Sequence, residues 1–418
     1  MSEGRRVVVT GMGAVTPIGR TAETFWSALL AGESGVRPTS AFDASRVTSR
    51  IAGEVQDFDA SHVLDRKELR RNDRTTQMAL VATREAMLDA GLPERLPDED
   101  ALMTGIILGS GLGGTGTLID QIILNATRGP DRLSPFFIPM VIGNMAAGVT
   151  AMHVNAMGPN FSTTSACASG GHAIGEASEM IRRGDADMML AGGTECSVYE
   201  ATVGGFAAMR ALSTRNDDPA GASRPFDSGR DGFVLAEGAA TLVLEELEHA
   251  RARGARIHAE LCGYGATADA THLTLPAPGG AGALRAGRRA LQKAVIDASE
   301  IDLVAAHATS TPGGDMEELA AIRSLLGERA PEVSVTATKG AIGHTLGAAG
   351  AIAAVATILA MRDGRVPPTL NLTHPDPGVG EMDLTPLVAR ERPVRVALVN
   401  AFGFGGQNSA IVLRRWAD

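Results

Sequence analysis

Thr163-Thr164-Ser165-Ala166-Cys167-Ala168-Ser169-Gly170-Gly171-His172 runs directly into Ala173-Ile174-Gly175-Glu176-Ala177. Small residues crowd around a single cysteine, and Ile174, Ala177 and Ile181 then recur at helical spacing. The pattern predicts a helix that starts just after Cys167. At a helix N-terminus, free amide N–H groups and the positive end of the dipole favour thiolate over thiol. A thiolate is a nucleophile. A free cysteine is also a common small core residue, so this stretch alone leaves both roles open.

Working outward, the chain has 418 residues, 44% of them hydrophobic and 4% aromatic. That length serves two domain-sized cores or one large duplicated one. Fifty glycines imply many tight turns and close helix–strand approaches. Cys167, Cys196 and Cys262 make neither a disulfide framework nor a CxxC pair, which fits a reduced, cytoplasmic protein. A net charge of -10 argues against a general nucleic-acid binder. Met1-Ser2-Glu3-Gly4-Arg5-Arg6 passes straight into Val7-Val8-Val9, without the order of a signal peptide. Ala348–Ile358 is Ala-rich and broken by Gly350, so it reads as a buried core helix and not a membrane span.

Val7–Val9 reads as a strand, and the residues from Gly11 to Gly19 as a glycine turn. A dinucleotide fingerprint fails there, because Thr16 and Pro17 stand where the third glycine is needed. Thr21–Gly32 reads as a helix. Arg66–Arg74 is a basic cluster opening a helix that continues to Gly91; a charge run is by default a solvated face. Strands are expected at Ile106–Leu108, Ala186–Glu195 and Ala239–Leu247, with a short helix over Glu248–Arg253. A new strand begins at Arg256. Then follow a helix (Gly282–Ala294), a strand (Leu303–His307), a helix (Asp315–Leu326) and a strand (Val333–Ala337). Lys339–Gly347 is a small-residue turn before an Ala-rich helix through Met361, mirroring the strand, turn and helix around Cys167. The chain closes with Val396–Asn400, a loop over Ala401–Asn408, and Ser409–Leu413. The alternation predicts an α/β protein with mainly parallel central strands, built as two copies of one unit, 1–255 and 256–418.

His307 ends an apolar strand, where α/β sheets place their sites. His344 sits in the second glycine turn. Either alone is more often a satisfied histidine in a turn. Two in equivalent loops, with a cysteine in a third, form a constellation for nucleophilic chemistry. Lys339 lies in the turn of His344 and Glu318 on the helix after His307. As a pair they would hold the histidine loops; otherwise they are unrelated surface charges.

Together these motifs resemble the decarboxylating β-ketoacyl-acyl carrier protein synthases of the elongating, type II kind. The resemblance rests on the elbow Thr164–Gly170, on His307-Ala308-Thr309-Ser310-Thr311-Pro312, and on Lys339-Gly340 with Gly343-His344. It rests also on Asn400-Ala401-Phe402-Gly403-Phe404-Gly405-Gly406 with Asn408, on Met209–Ser213, and on Arg224–Asp227. It spans nearly the whole chain, in order. It implies the thiolase-like fold, two similar α/β halves in five alternating helix and sheet layers (αβαβα). It implies a homodimer, with a heterodimer containing a chain-length factor as the alternative. No cofactor is permanently bound; the phosphopantetheine arm of an acyl carrier protein delivers substrate.

By the same resemblance, Cys167 accepts the acyl chain, and His307 and His344 bind the malonyl thioester oxygen and promote loss of carbon dioxide. The amides of Cys167 and Phe404 form the second oxyanion hole, and Phe404 is a gate that swings on acylation. Leu112 and Phe206 line the acyl pocket. Thr309 and Thr311 contact the pantetheine arm, and Phe402 and Asn408 belong to the substrate-binding loop. Ala308 departs from the usual glycine, and Ser165 from the commoner threonine. A thiolase would carry a second cysteine in the Phe402–Asn408 loop, an initiating synthase an asparagine at 344, and a chain-length factor no active cysteine. Fatty-acid elongation is the main expectation, and a type II polyketide or polyene ketosynthase the alternative. An acidic carrier needs a local basic landing site on this acidic chain. Lys67, Arg70 and Arg71 share one helix face by spacing, and by resemblance Arg210, Arg128 and Arg132 are its other members.

Overall fold

The computed structural model describes residues 4–417. Met1–Glu3, part of the segment read above for a leader, and Asp418 lie outside the described residues. Ten strands form the main sheet: β1 (Val7–Val15), β2 (Thr104–Gly109), β3 (Asn160–Phe161), β4 (Met188–Glu195), β5 (Gly238–Glu246), β6 (Ala259–Ala268), β7 (Leu303–Ala305), β8 (Ser334–Thr336), β9 (Val396–Gly403) and β10 (Gln407–Arg415). Their spatial order is β8-β7-β9-β10-β6-β1-β5-β4-β2-β3. Read from the middle outward, each side repeats the other: first strand, last strand, then the same inner and edge sequence. The two sides meet through three residue pairs, Val7 with Leu261, Val8 with Glu260 and Val9 with Ala259.

The expectation of mainly parallel central strands is overturned. Parallel pairing is confined to the flanks, β8 with β7, β7 with β9, β4 with β2 and β2 with β3. From β9 across to β4 every pairing is antiparallel. The links explain this. A parallel neighbour needs a crossover long enough to return along the sheet, as a helical connection provides. The link from β9 to β10 is Phe404-Gly405-Gly406, which can only reverse the chain.

Helices complete the layers. Thr21 caps α1 (Ala22–Ala31) and Gly32 closes it at φ 74°, as the sequence predicts. The basic helix is two helices, not one: α2 (Arg66–Arg71) ends at Asn72, and Asp73 caps α3 (Arg74–Asp89) by accepting from the Thr75 amide. The glycine turn after Val9 is likewise corrected, since β1 continues through Gly11 and Gly13, with a shift of register against β5 between Val9 and Gly11. These glycines make room for α3. A Cβ on Gly13 would stand 2.1 Å from the Ala82 carbonyl oxygen.

α4 (Thr115–Arg128) follows β2. α5 (Ser169–Arg183) carries the cysteine elbow at its start, and α8 (Ala349–Asp363) is the Ala-rich helix. Both pack on strands from each side of the sheet and on each other. They form the central layer, where a Cβ on Gly350 would stand 2.8 Å from the Gly171 amide. α3 covers the outside of β1 and β5; α6 (Ala281–Ala294) covers β6 and β10, with α7 (Gly314–Leu326) against it. The result is helix, sheet, helix, sheet, helix. Leu346–Asp363 is the one described stretch long and apolar enough to cross a bilayer, and 89% of it is buried inside the protein. It is a core helix, as its composition predicts.

Candidate active site

The elbow precedes α5 by one residue. Ala166 holds a left-handed φ of 49°, and Ser169 staples the turn: its hydroxyl donates to the Ala166 carbonyl at 2.6 Å and accepts from the Ser165 amide at 2.9 Å. Gly403, at the end of β9, lies against the back of this turn; a Cβ there would stand 2.5 Å from the Ser165 carbonyl oxygen. Cys167 is left 8% exposed at the floor of a cavity of about 290 Å³. The amides of Cys167 and Phe404 both point at its sulfur. Burial nevertheless pushes the thiol up to about 12, against the pull of the Lys339 charge and the two amides. Burial thus opposes the thiolate that the helix end is expected to favour.

His307 follows β7, and His344 follows the short helical turn Lys339–Ile342. The two loops converge from opposite sides, with ring centroids 5.4 Å apart and planes 86° apart. His307 also packs on Phe402, and His344 on Phe233. Burial holds both histidines well below their ordinary range, reinforced by the Lys339 charge. They are neutral, and neutral rings offer N–H donors to a developing oxyanion.

Lys339 and Glu318 are both 3% exposed and both bind the peptide of His307. The ammonium donates to the His307 carbonyl oxygen. The carboxylate accepts from the amides of His307 at 2.8 Å and Ala308 at 2.7 Å, and from Asn400 at 3.0 Å. Burial lowers Lys339 to about 8 and raises Glu318.

Cys167, His307, His344, Glu318, Phe206, Thr309, Thr311, Phe402, Phe404, Asn408 and Arg210 all line the one cavity. Leu112 does not. It is 48% exposed, on a loop whose amides turn inward and leave its side chain outside. Lys67, Arg70, Arg71, Arg128 and Arg132 are exposed and also lie off the cavity. Arg71 stacks on Phe136 with its guanidinium 4.6 Å from the ring centre, which ties α2 to the segment that follows Arg132.

Residues 4–250 match the N-terminal domain of the β-ketoacyl synthases, and residues 258–373 match the C-terminal domain. The chain belongs to the β-ketoacyl synthase family. This synthase is 47% identical to the 3-oxoacyl-[acyl-carrier-protein] synthase 2 of Synechocystis, over 99% of both chains. It is 47% identical to that of Coxiella burnetii over the whole of each. Among solved structures it is similar to a β-ketoacyl synthase from Burkholderia phymatum, with a TM-score of 0.92 and 37% identity over 99% of this chain and 100% of that one. The ishigamide ketosynthase/chain length factor aligns with a TM-score of 0.92 at 34% identity, again over 99% and 100%.

Sequence reasoning missed Glu195, a carboxylate that ties two loops of the synthase together. It is fully buried and accepts from the amides of Gly111 at 2.7 Å, Leu112 at 3.2 Å and Gly347 at 3.1 Å. It thereby binds the loop after β2 to the loop after His344. The only signal was an acid at the end of an apolar strand. Asp315 was missed as well. It is buried, accepts from the amides of Phe226 and Thr311, and burial raises it to about 7. Arg230 supports the same loop by donating to the carbonyls of Thr311 and Pro312.

Proposed function

We propose that this synthase elongates fatty acyl chains by decarboxylative Claisen condensation, with Cys167 as acyl acceptor and malonyl-acyl carrier protein as the extending substrate. One observation carries the reading: a single cavity holds a cysteine sulfur facing two backbone amides and, beside it, two neutral histidines. In the first half-reaction the Cys167 sulfur attacks the carrier-bound thioester. Its proton leaves with the pantetheine thiol. The amides of Cys167 and Phe404 hold the oxyanion of the tetrahedral intermediate.

In the second half-reaction the malonyl thioester oxygen lies between His307 and His344. The carboxylate carbon–carbon bond breaks, carbon dioxide leaves, and the electron pair becomes an enolate. The enolate carbon attacks the acyl-Cys167 carbonyl. Collapse of that intermediate expels the Cys167 thiolate, which takes a proton from solvent because burial opposes its charge. Lys339 and Glu318 hold the His307 peptide from both sides. Thr309 and Thr311 contact the pantetheine arm, with Phe402 and Asn408 shaping its end and Phe206 the acyl pocket.

Identity supports the fatty-acid reading over the polyketide one. Relatives named 3-oxoacyl-[acyl-carrier-protein] synthase 2 are 44–47% identical, and the solved complex of a type II PKS acyl-carrier protein with its ketosynthase is 35% identical. The palindromic strand order supports two copies of one unit, divided near residue 255. We further propose a cytoplasmic homodimer. β3 is an edge strand, and an apolar face extends from it through Met145–Val154 and Phe137–Val141 to α4, exposing Phe161, Met152, Ile138, Ile122 and Ile123. Intact mass spectrometry tests the chemistry. An acyl-carrier thioester should leave one adduct on the wild type and none on Cys167→Ala, which should remain folded. An adduct on Cys196 or Cys262 instead would overturn the assignment.

A further inference from the structure

We infer that His172 is a positioning residue that bridges the cysteine elbow and the base of the Phe404 turn, and so fixes the Phe404 amide relative to the Cys167 sulfur. The inference rests on the reading of Cys167 as acyl acceptor. His172 lies on the first turn of α5, five residues beyond the nucleophile, and its ring reaches backward. Nδ1 is 2.7 Å from the Ser165 hydroxyl, and Nε2 is 3.3 Å from the Asn408 carbonyl oxygen. A carbonyl oxygen only accepts, so Nε2 carries the proton. Nδ1 of the neutral ring is then bare and accepts from the Ser165 hydroxyl. Burial holds His172 below its ordinary range, which favours the neutral ring.

Both partners sit where position matters. Ser165 is separated from Cys167 only by Ala166, the residue with the left-handed φ. Asn408 pairs with Phe402 across the β9–β10 hairpin, and Phe404-Gly405-Gly406 is the turn between them. The elbow and the hairpin also touch at Gly403, but a glycine contact carries no directional bond. Besides the Cys167 sulfur that the two amides face, His172 is, among the described residues, the one side chain hydrogen-bonded to both segments. Tyr264 packs edge-on to the ring at 6.3 Å between centres, which holds its tilt. The far side of Asn408 is fixed as well, its side chain donating to Asp269 at 2.8 Å. A turn held at this end and carrying two glycines at φ 83° and 70° pivots there. The resting place of the Phe404 amide is thus set by the His172 bridge.

Single-turnover acylation of Cys167 by an acyl-carrier thioester, followed by intact mass, tests this. It is run beside carbon dioxide release from malonyl-carrier by the unacylated enzyme. Deleting an oxyanion donor outright costs 10²–10³-fold, and displacing one should cost about tenfold. His172→Phe keeps the ring packing and loses both bonds; Ser165→Ala breaks the bridge at its other end. Each should slow acylation about tenfold, and the double variant by about the same tenfold, because one bridge is broken in all three. Ser165→Thr retains the hydroxyl and should keep the wild-type rate. Carbon dioxide release should be unchanged throughout, since the histidine pair makes no use of this amide. Wild-type acylation in His172→Phe, a multiplied loss in the double variant, or a parallel loss of both half-reactions would overturn the inference. A wild-type enzyme that forms no acyl-Cys167 would instead remove the functional reading, and this inference with it.

Discussion

Burial opposes the Cys167 thiolate, and that makes its chemistry dependent on pH. With the thiol at about 12, the thiolate is about one part in 10⁵ at pH 7. Lys339 titrates near 8; its charge, present below that pH, pulls the thiol down, and above it the pull is lost. Single-turnover acylation should therefore rise about tenfold per pH unit below about 8 and more slowly above. A rate that levels off near pH 7 would mean that the helix end forms the thiolate after all. The histidines divide the labour differently. His307→Ala and His344→Ala should each reduce carbon dioxide release from malonyl-carrier by about 10²–10³-fold, because each removes an N–H donor from the enolate. Acylation of Cys167 should survive in both, since the amides of Cys167 and Phe404 hold the oxyanion of that step. Undiminished carbon dioxide release from either variant would refute the role.

At the scale of elements, two segments carry distinct predictions. β1 and α3 touch through bare glycine backbone, so Gly13→Ala should cost about 3 kcal/mol or more, read as a lower Tm or loss of soluble protein. A wild-type Tm would show that α3 can retreat. α2 exposes Lys67, Arg70 and Arg71, but Arg71 is partly committed to Phe136. Lys67→Glu with Arg70→Glu leaves that packing intact. If α2 receives the acidic carrier, the pair should raise KM for carrier-bound substrate about tenfold, more at low salt. Activity on a small pantetheine thioester should not change. Equal loss on both substrates would make α2 a structural support. The same elements show what the sequence made legible. The helix between Thr21 and Gly32, the elbow and the two histidine loops are written in adjacent residues, and each appeared where its local pattern put it. The antiparallel centre, the passage of β1 through Gly11 and Gly13, and the reach of Glu195 to Gly347 depend on segments remote in sequence. A glycine that admits a helix is spelled the same way as a glycine that makes a turn. The break at Asn72 was hidden because Asp73, a capping residue, sits inside a run of charges.

For the molecule as a whole, the apolar face beside β3 predicts association. Phe161→Asp should convert a sedimenting dimer to a monomer at micromolar concentration, with the secondary structure unchanged; a dimer that persists would place the interface elsewhere. The strand order has one more consequence, for how the protein is made. β10 leaves the ribosome after the other nine strands of the sheet, yet it lies fourth, between β9 and β6. Until Gln407–Arg415 has been synthesised, two finished strands stand apart with unpaired edges. Asn408 is also absent until then, and with it one wall of the cavity. The second half of the sheet can thus close only once Gln407–Arg415 has been translated, and through that interval its open strand edges are the surface most in need of a chaperone.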